Sequence, residues 1–169
     1  MSYLIVADLH GSRRGMNLLE EAVAREKPDV ILLLGDILRG SGDEDSGYVS
    51  LKLTSLPIGF LPIKGNCDYP SDRYSLNMDL PISRVIPAYG FEIHMQHYPF
   101  ASSLYGKKIF LHGHTHRKIL YKNEDGGILC CPGSIALPRD GSASYGVLDP
   151  SGIRLMSALD GTILDSVSL

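Results

Sequence analysis

A stretch with helical hydrophobic spacing, residues 13–26, separates two short apolar runs, Tyr3 to Ala7 and Val30 to Leu34. Met16, Leu18, Leu19, Ala22 and Val23 fall on one helical face, and Glu20, Glu21, Arg25 and Glu26 on the other. Pro28 closes the helix. Continuous apolar runs of this length read as strands buried on both faces of a parallel sheet. Strand, helix and strand in that order make a right-handed βαβ unit with both strands parallel. Their carboxyl ends then share one edge, where open α/β sheets place ligands. Each strand delivers a carboxylate there, Asp8 in Asp8-Leu9-His10-Gly11-Ser12 and Asp36 in Gly35-Asp36. Asp8 and His10 are two apart and are expected to project together, a pair that suits a metal ion. Helix capping by Asp8 or Ser12 would explain the same residues.

Polar residues follow the later strands too. Residues 39–47 form an acidic, turn-rich loop in which Arg39 is the side chain able to reach a substrate phosphate. Tyr48 to Leu56 reads as a short second helix. Ile58 to Ile63 is a third strand, weakened by Gly59 and Pro62, and leads into Gly65-Asn66-Cys67-Asp68. An Asn amide oxygen is a neutral ligand and leaves an ion more Lewis-acidic, although the tetrapeptide alone is only a good turn. Residues 69–83 read as loop. Two strands, Arg84 to Tyr89 and Phe91 to His97, meet at Gly90, and the second ends at His97-Tyr98-Pro99. Lys107 to Leu111 runs into His112-Gly113-His114-Thr115-His116. In an extended run residues two apart share a side, so His114 and His116 are expected together. His112 joins them only if the backbone stays extended through Gly113. Strands 118–122, 127–131, 145–148, 153–158 and 162–167 follow, separated by turn residues. A βαβ start followed by hairpins implies an α/β fold of two packed mixed β-sheets flanked by helices. Candidate ligands come from both halves, so residues 1–169 are expected to form a single domain.

Composition removes several alternatives. The net charge of −3 carries no strong signal for nucleic-acid binding, though it leaves room for a local basic rim. The longest apolar run, Val30 to Leu34, is far too short to span a bilayer. The first strand begins without a charged or signal-like leader, so a cytoplasmic location is expected. Three cysteines, two of them adjacent, form no disulfide framework, and Cys130 and Cys131 are expected in the core.

Taken in order, Asp8-x-His10, Gly35-Asp36, Gly65-Asn66, His97-Tyr98-Pro99 and Gly113-His114-Thr115-His116 resemble the calcineurin-like metallophosphoesterase superfamily. The resemblance covers essentially the whole chain. Its compact length, Gly-Asn-Cys-Asp at 65–68 and the tail around Pro132-Gly133-Ser134 are similar to small YfcE-type phosphodiesterases. The resemblance implies a four-layer αββα sandwich with two divalent metal ions at its edge. Asp8, His10 and His116 would hold one ion, Asn66, His97 and His114 the other, and Asp36 would bridge them. Mixed nitrogen and oxygen ligands suit Mn²⁺, Fe²⁺, Ni²⁺ or Zn²⁺ better than Mg²⁺, and Mn²⁺ is the expected ion. The implied reaction is phosphodiester hydrolysis by hydroxide generated at the dinuclear centre, with Asn66 also binding substrate. Cys67 stands where many relatives place a His that protonates the leaving alcohol. Asp68 is expected to orient neighbouring groups. His97 is preferred to the mid-strand His94 as ligand, and His112 is expected to be structural. The implied partner is a small phosphodiester, and relatives suggest a homo-oligomer, dimer or tetramer. Two other readings stay open: a catalytically inactive protein-interaction scaffold, as in the small retromer subunit, which resembles this fold although such scaffolds tend to erode the ligand set, and a phosphomonoesterase or protein phosphatase.

Overall fold

The computed structural model describes residues 1–38, 45–100 and 106–169. Its elements are β1 (Tyr3–Val6), α1 (Arg13–Glu26), β2 (Val30–Leu33), α2 (Ser46–Thr54), β3 (Gly59–Pro62), α3 (Asp72–Leu76), β4 (Ser83–Ala88), β5 (Phe91–Gln96), β6 (Lys108–Leu111), β7 (Lys118–Lys122), β8 (Ile128–Pro132), β9 (Ser144–Asp149), β10 (Gly152–Ser157) and β11 (Ile163–Ser168).

α1 starts where Ser12 Oγ accepts from Gly15 N at 3.1 Å. It stops at Lys27, whose left-handed φ of 48° ends the helix ahead of Pro28. α3 lies where only loop was expected. Five residues are too few to display a helical period, and the turn is anchored by Leu76, which is buried among the residues that cover α1 and α2.

Both sheets are mixed. In the six-stranded sheet, ordered β11-β10-β9-β1-β2-β3, strands β1, β2 and β3 are parallel and the remaining pairs antiparallel. In the five-stranded sheet, ordered β4-β5-β6-β8-β7, strands β5, β6 and β8 are parallel. The sheets pack face to face. Ile5, Leu32 and Leu34 from one meet Ile93, Ile109, Leu111 and Ile128 from the other in a continuous buried cluster. A second cluster joins the opposite face of the six-stranded sheet to the helices through Leu4, Val6, Met16, Leu19, Val49 and Leu53. The sandwich flanked by helices is therefore the expected one. All three helices among the described residues lie on the six-stranded side. Cys130 and Cys131 are both fully buried, as expected.

Candidate metal centre

Two parallel sets, β1–β2–β3 and β5–β6, end at the same edge of the sandwich, and their following loops are tied together by backbone bonds. His10 N donates to Asp36 O at 2.8 Å, and Gly113 N donates to His97 O at 3.0 Å. Across the two sheets, His114 N donates to the Asp8 carboxylate at 3.1 and 3.2 Å. Close approach requires glycine at Gly65, where a Cβ would overlap both the backbone N and the carboxylate of Asp36.

The seven side chains singled out as ligands come together here. His116 Nε2 lies 3.4 Å from Asp8 Oδ1 and 3.2 Å from His10 Nε2. Asp36 Oδ2 lies 3.7 Å from His10 Nε2 and 3.4 Å from His97 Nε2. Asn66 Oδ1 lies 3.0 Å from His97 Nε2 and 2.9 Å from His114 Nδ1. Within each of three groups, Asp8, His10 and His116, Asp8, Asp36 and His97, and His10, Asp36 and Cys67, the donor atoms lie within 4.8 Å of one another.

The route by which they meet differs from the sequence expectation. The stretches 8–10 and 114–116 are not extended. Asp8, His10, Asp36, His114 and His116 all have left-handed φ, between 51° and 66°. Turns rather than strand alternation aim the pairs, so His114 faces Asn66 while His116 faces Asp8 and His10.

Two rings have their orientation fixed by backbone carbonyls. A carbonyl oxygen only accepts, so His97 Nδ1 donates to Leu34 O at 2.8 Å and His116 Nδ1 to Leu137 O at 2.7 Å. Each Nε2 therefore faces the cluster with its lone pair in the neutral ring, as in metal-bound histidines. These carbonyls were missed from sequence, because a backbone group carries no residue-type signal. Ser134, buried behind the cluster, donates to Asp8 O at 2.8 Å and accepts from Leu137 N at 2.8 Å.

A divalent cation fits this donor set. Asp8 and Asp36 are almost fully buried, and among the described residues their ion-pair partners are histidines alone, with no Lys or Arg. Buried carboxylates require compensation, and closely packed imidazole and carboxylate donors offer lone pairs to a cation. Burial pushes the Asp36 carboxyl up, but bonds from His97 and Cys67 N more than offset this and hold it at about 2. The bond to Asp8 raises His116. Burial, then the neighbouring His97, lowers His114.

The remaining candidates divide. Cys67 lies beside Asp36, its backbone N donating to Asp36 Oδ1 at 2.8 Å. Burial, then the Asp36 charge, pushes its thiol up to about 11. Asp68 is outside the donor cluster. Its buried carboxylate accepts from Ile37 N at 2.7 Å, Leu38 N at 3.3 Å and Gly65 N at 2.8 Å, bracing the loops that carry Asp36 and Asn66. Arg39 lies outside the described residues. His94 stacks on Phe110 at 5.1 Å and meets Glu92, away from the cluster. His112 is buried with Nδ1 on Gly113 O at 2.9 Å.

Comparison with known proteins agrees with this fold. The family model for the calcineurin-like phosphoesterase superfamily domain matches residues 1–152. No curated protein sequence matches the chain. Among solved structures, Yfce, a phosphoesterase from E. coli, superposes with a TM-score of 0.91 at 22% identity, covering 99% of each chain. An archaeal phosphodiesterase gives 0.72 at 18% identity, covering 93% of this chain and 99% of its own. Vps29 from Entamoeba histolytica, crystallised with zinc, gives 0.68 at 19% identity and covers 99% of each chain. Family model, sandwich topology and candidate donor groups agree: the chain belongs to the calcineurin-like phosphoesterase superfamily, whose members use divalent metals.

Proposed function

We propose that the chain is a metal-dependent phosphodiesterase acting on small phosphodiesters, with residues 1–169 working as one domain. The observation that carries this reading is the convergence of Asp8, His10, Asp36, His97 and His116, with Asn66 and His114 in contact with them, around two buried carboxylates. Asp8, His10 and His116 would hold one ion, Asn66, His97 and His114 a second, with Asp36 shared. The mixed nitrogen and oxygen donors accommodate Mn²⁺, Ni²⁺, Fe²⁺ or Zn²⁺, and Mn²⁺ is the ion proposed. Two such ions, held by these residues, would supply Lewis acidity towards water and the phosphoryl oxygens.

The chain's own groups have distinct tasks. Asp8 and Asp36 bring only two negative charges, and Asn66 contributes none, so the centre stays electrophilic. The Leu34 and Leu137 carbonyls hold His97 and His116 with Nε2 inward. The Asn66 amide nitrogen donates one N–H to Cys67 Sγ at 3.3 Å, and its second N–H can donate to a non-bridging phosphoryl oxygen. Cys67, held protonated, is a poor proton donor to a leaving alkoxide. Diesters with good leaving groups are therefore the favoured substrates.

Hydrolysis of bis(p-nitrophenyl) phosphate and of the p-nitrophenyl monoester, after chelation and reloading with Mn²⁺, Ni²⁺, Zn²⁺ or Mg²⁺, tests the reading. Diester cleavage that needs metal, exceeds monoester cleavage and disappears in Asp36→Asn is expected. Dominant monoester cleavage would make the chain a phosphomonoesterase. Bound ions without turnover of either ester would favour a protein-binding scaffold.

A further inference from the structure

Beside Asn66 and His97 opens a cavity of about 310 Å³, walled by Lys64, Ile82, Gln96 and Tyr98. Lys64 also lines a second hollow of about 380 Å³, together with Arg73. Neither is needed to hold an ion. Tyr98 is 53% exposed, yet its ring is clamped from behind. Its centroid lies 4.5 Å from the His114 ring and 5.5 Å from the His97 ring. Gln96 Nε2 pins the backbone beneath it, donating to Tyr98 O at 2.9 Å. A ring held this way loses little freedom when a ligand covers its open face. On the same cavity Ile82 is 79% exposed, an apolar side chain with nothing packed over it. The Lys64 ammonium has no hydrogen bond or ion pair among the described residues, although the Lys64 backbone N is fixed by Pro81 O at 2.8 Å.

Resting on the phosphodiesterase reading, we propose that this cavity receives the nucleoside arm of a nucleotide phosphodiester. The base lies on Tyr98 and against Ile82, and Lys64 donates to oxygens of the base or sugar. Three features together select such an arm. A preset aromatic face stacks any base. A cation beside it serves carbonyl and hydroxyl oxygens, which an alkyl chain lacks. The volume is at the lower end for ligand sites, enough for one nucleoside.

The test compares p-nitrophenyl thymidine 5′-phosphate with the methyl and hexyl p-nitrophenyl phosphates. All three share the leaving group and the reacting phosphorus and differ only in the arm. The thymidine ester is expected to show kcat/KM about tenfold or more above the methyl ester, chiefly through KM, as one stacked base provides. That ratio, taken within each variant so that general losses cancel, is expected to fall towards one in Tyr98→Leu and Ile82→Ser. Equal kcat/KM for thymidine and methyl esters, or a hexyl ester as good as thymidine, would overturn the assignment. If no ester turns over with any metal, the phosphodiesterase reading fails and binding decides the subsite separately. Calorimetric titration with thymidine 5′-phosphate and methyl phosphate is then expected to show the nucleotide about tenfold tighter, with the difference lost in Tyr98→Leu. Equal affinities would overturn the subsite whatever the activity.

Discussion

Asp68→Asn tests how the loop that ends β2 is locked to the loop that ends β3. In the native protein one carboxylate oxygen accepts from Ile37 N and Leu38 N and the other from Gly65 N. An asparagine has the same shape but a single acceptor oxygen, so its amide nitrogen must face at least one of these N–H groups. A buried backbone donor left without an acceptor costs about 1–3 kcal/mol. For a domain of this size each kcal/mol lowers Tm by about 2–4 °C, so a fall of several degrees is expected in the metal-free protein. The same loops carry Asp36 and Asn66. Loosening groups that orient ligands typically weakens metal binding about 10–100-fold. Thermal denaturation of the chelated protein and calorimetric titration with Mn²⁺ read the two effects. Two ions should still bind, each more weakly. Unchanged Tm and affinity would refute the bracing role. Loss of one ion at unchanged stability would show instead that Asp68 is a ligand.

Four further outcomes follow from single residues. Gly65→Ala places a methyl group against Asp36, whereas Gly59→Ala meets nothing within 4 Å, so the first should lose about 1–3 kcal/mol in urea denaturation relative to the second. Asp36, held at about 2 against an ordinary carboxyl, binds fewer protons when folded. Its contribution to stability is therefore present above about pH 4 and lost as pH falls towards 2, and metal-free Asp36→Asn should show a shallower acid loss of stability. Cys67 is the one partly exposed cysteine, the other two being buried, so the native metal-free protein should expose one thiol to alkylation and three in urea. Because that thiol is pushed up to about 11, its reaction should still be accelerating above pH 9. Cys67→His, in turn, should flatten the dependence of diester cleavage on leaving-group pKa.

The sandwich was legible because each apolar run is closed by a turn and a polar pair. Val30 to Leu34 followed by Gly35-Asp36 can hardly be anything but a buried strand with its carboxylate at an edge. α1 was readable to the residue because Ser12 caps it and Lys27-Pro28 stops it. The separation of His94 from His97 was also legible. Phe91, Ile93 and Met95 face inward on β5, which turns His94 outward, whereas His97 lies past the strand end. What could not be read is backbone conformation and backbone chemistry. Nothing in the residue types Asp or His announces a left-handed φ, so alternation was invoked where turns do the aiming. The Leu34 and Leu137 carbonyls have no side-chain signature, and three N–H groups converging on Asp68 depend on loops distant in sequence.

Strain separates a retained metal site from a surface kept only for its shape. Among the described residues eight non-glycine residues have positive φ, and five are Asp8, His10, Asp36, His114 and His116. The other three have local reasons: Lys27 and Asn77 end helices, and Tyr89 precedes the Gly90 turn. Left-handed backbone costs a side-chain-bearing residue about 1–2 kcal/mol, relieved by glycine at an entropic cost of about 0.5–1 kcal/mol. His114 suits the comparison, since its ring is only half-buried and packs chiefly on Tyr98 and His97. His114→Gly should therefore leave the metal-free Tm unchanged within about 2 °C, or raise it. Ion binding should fall from two sites towards one. A large loss of metal-free stability would mean that the side chain holds the loop together and that the strain has a packing cause. Unchanged ion binding would remove His114 from the ligand set. Retained stability with lost ion affinity is the pattern of a residue kept in an unfavourable conformation for the sake of what it binds.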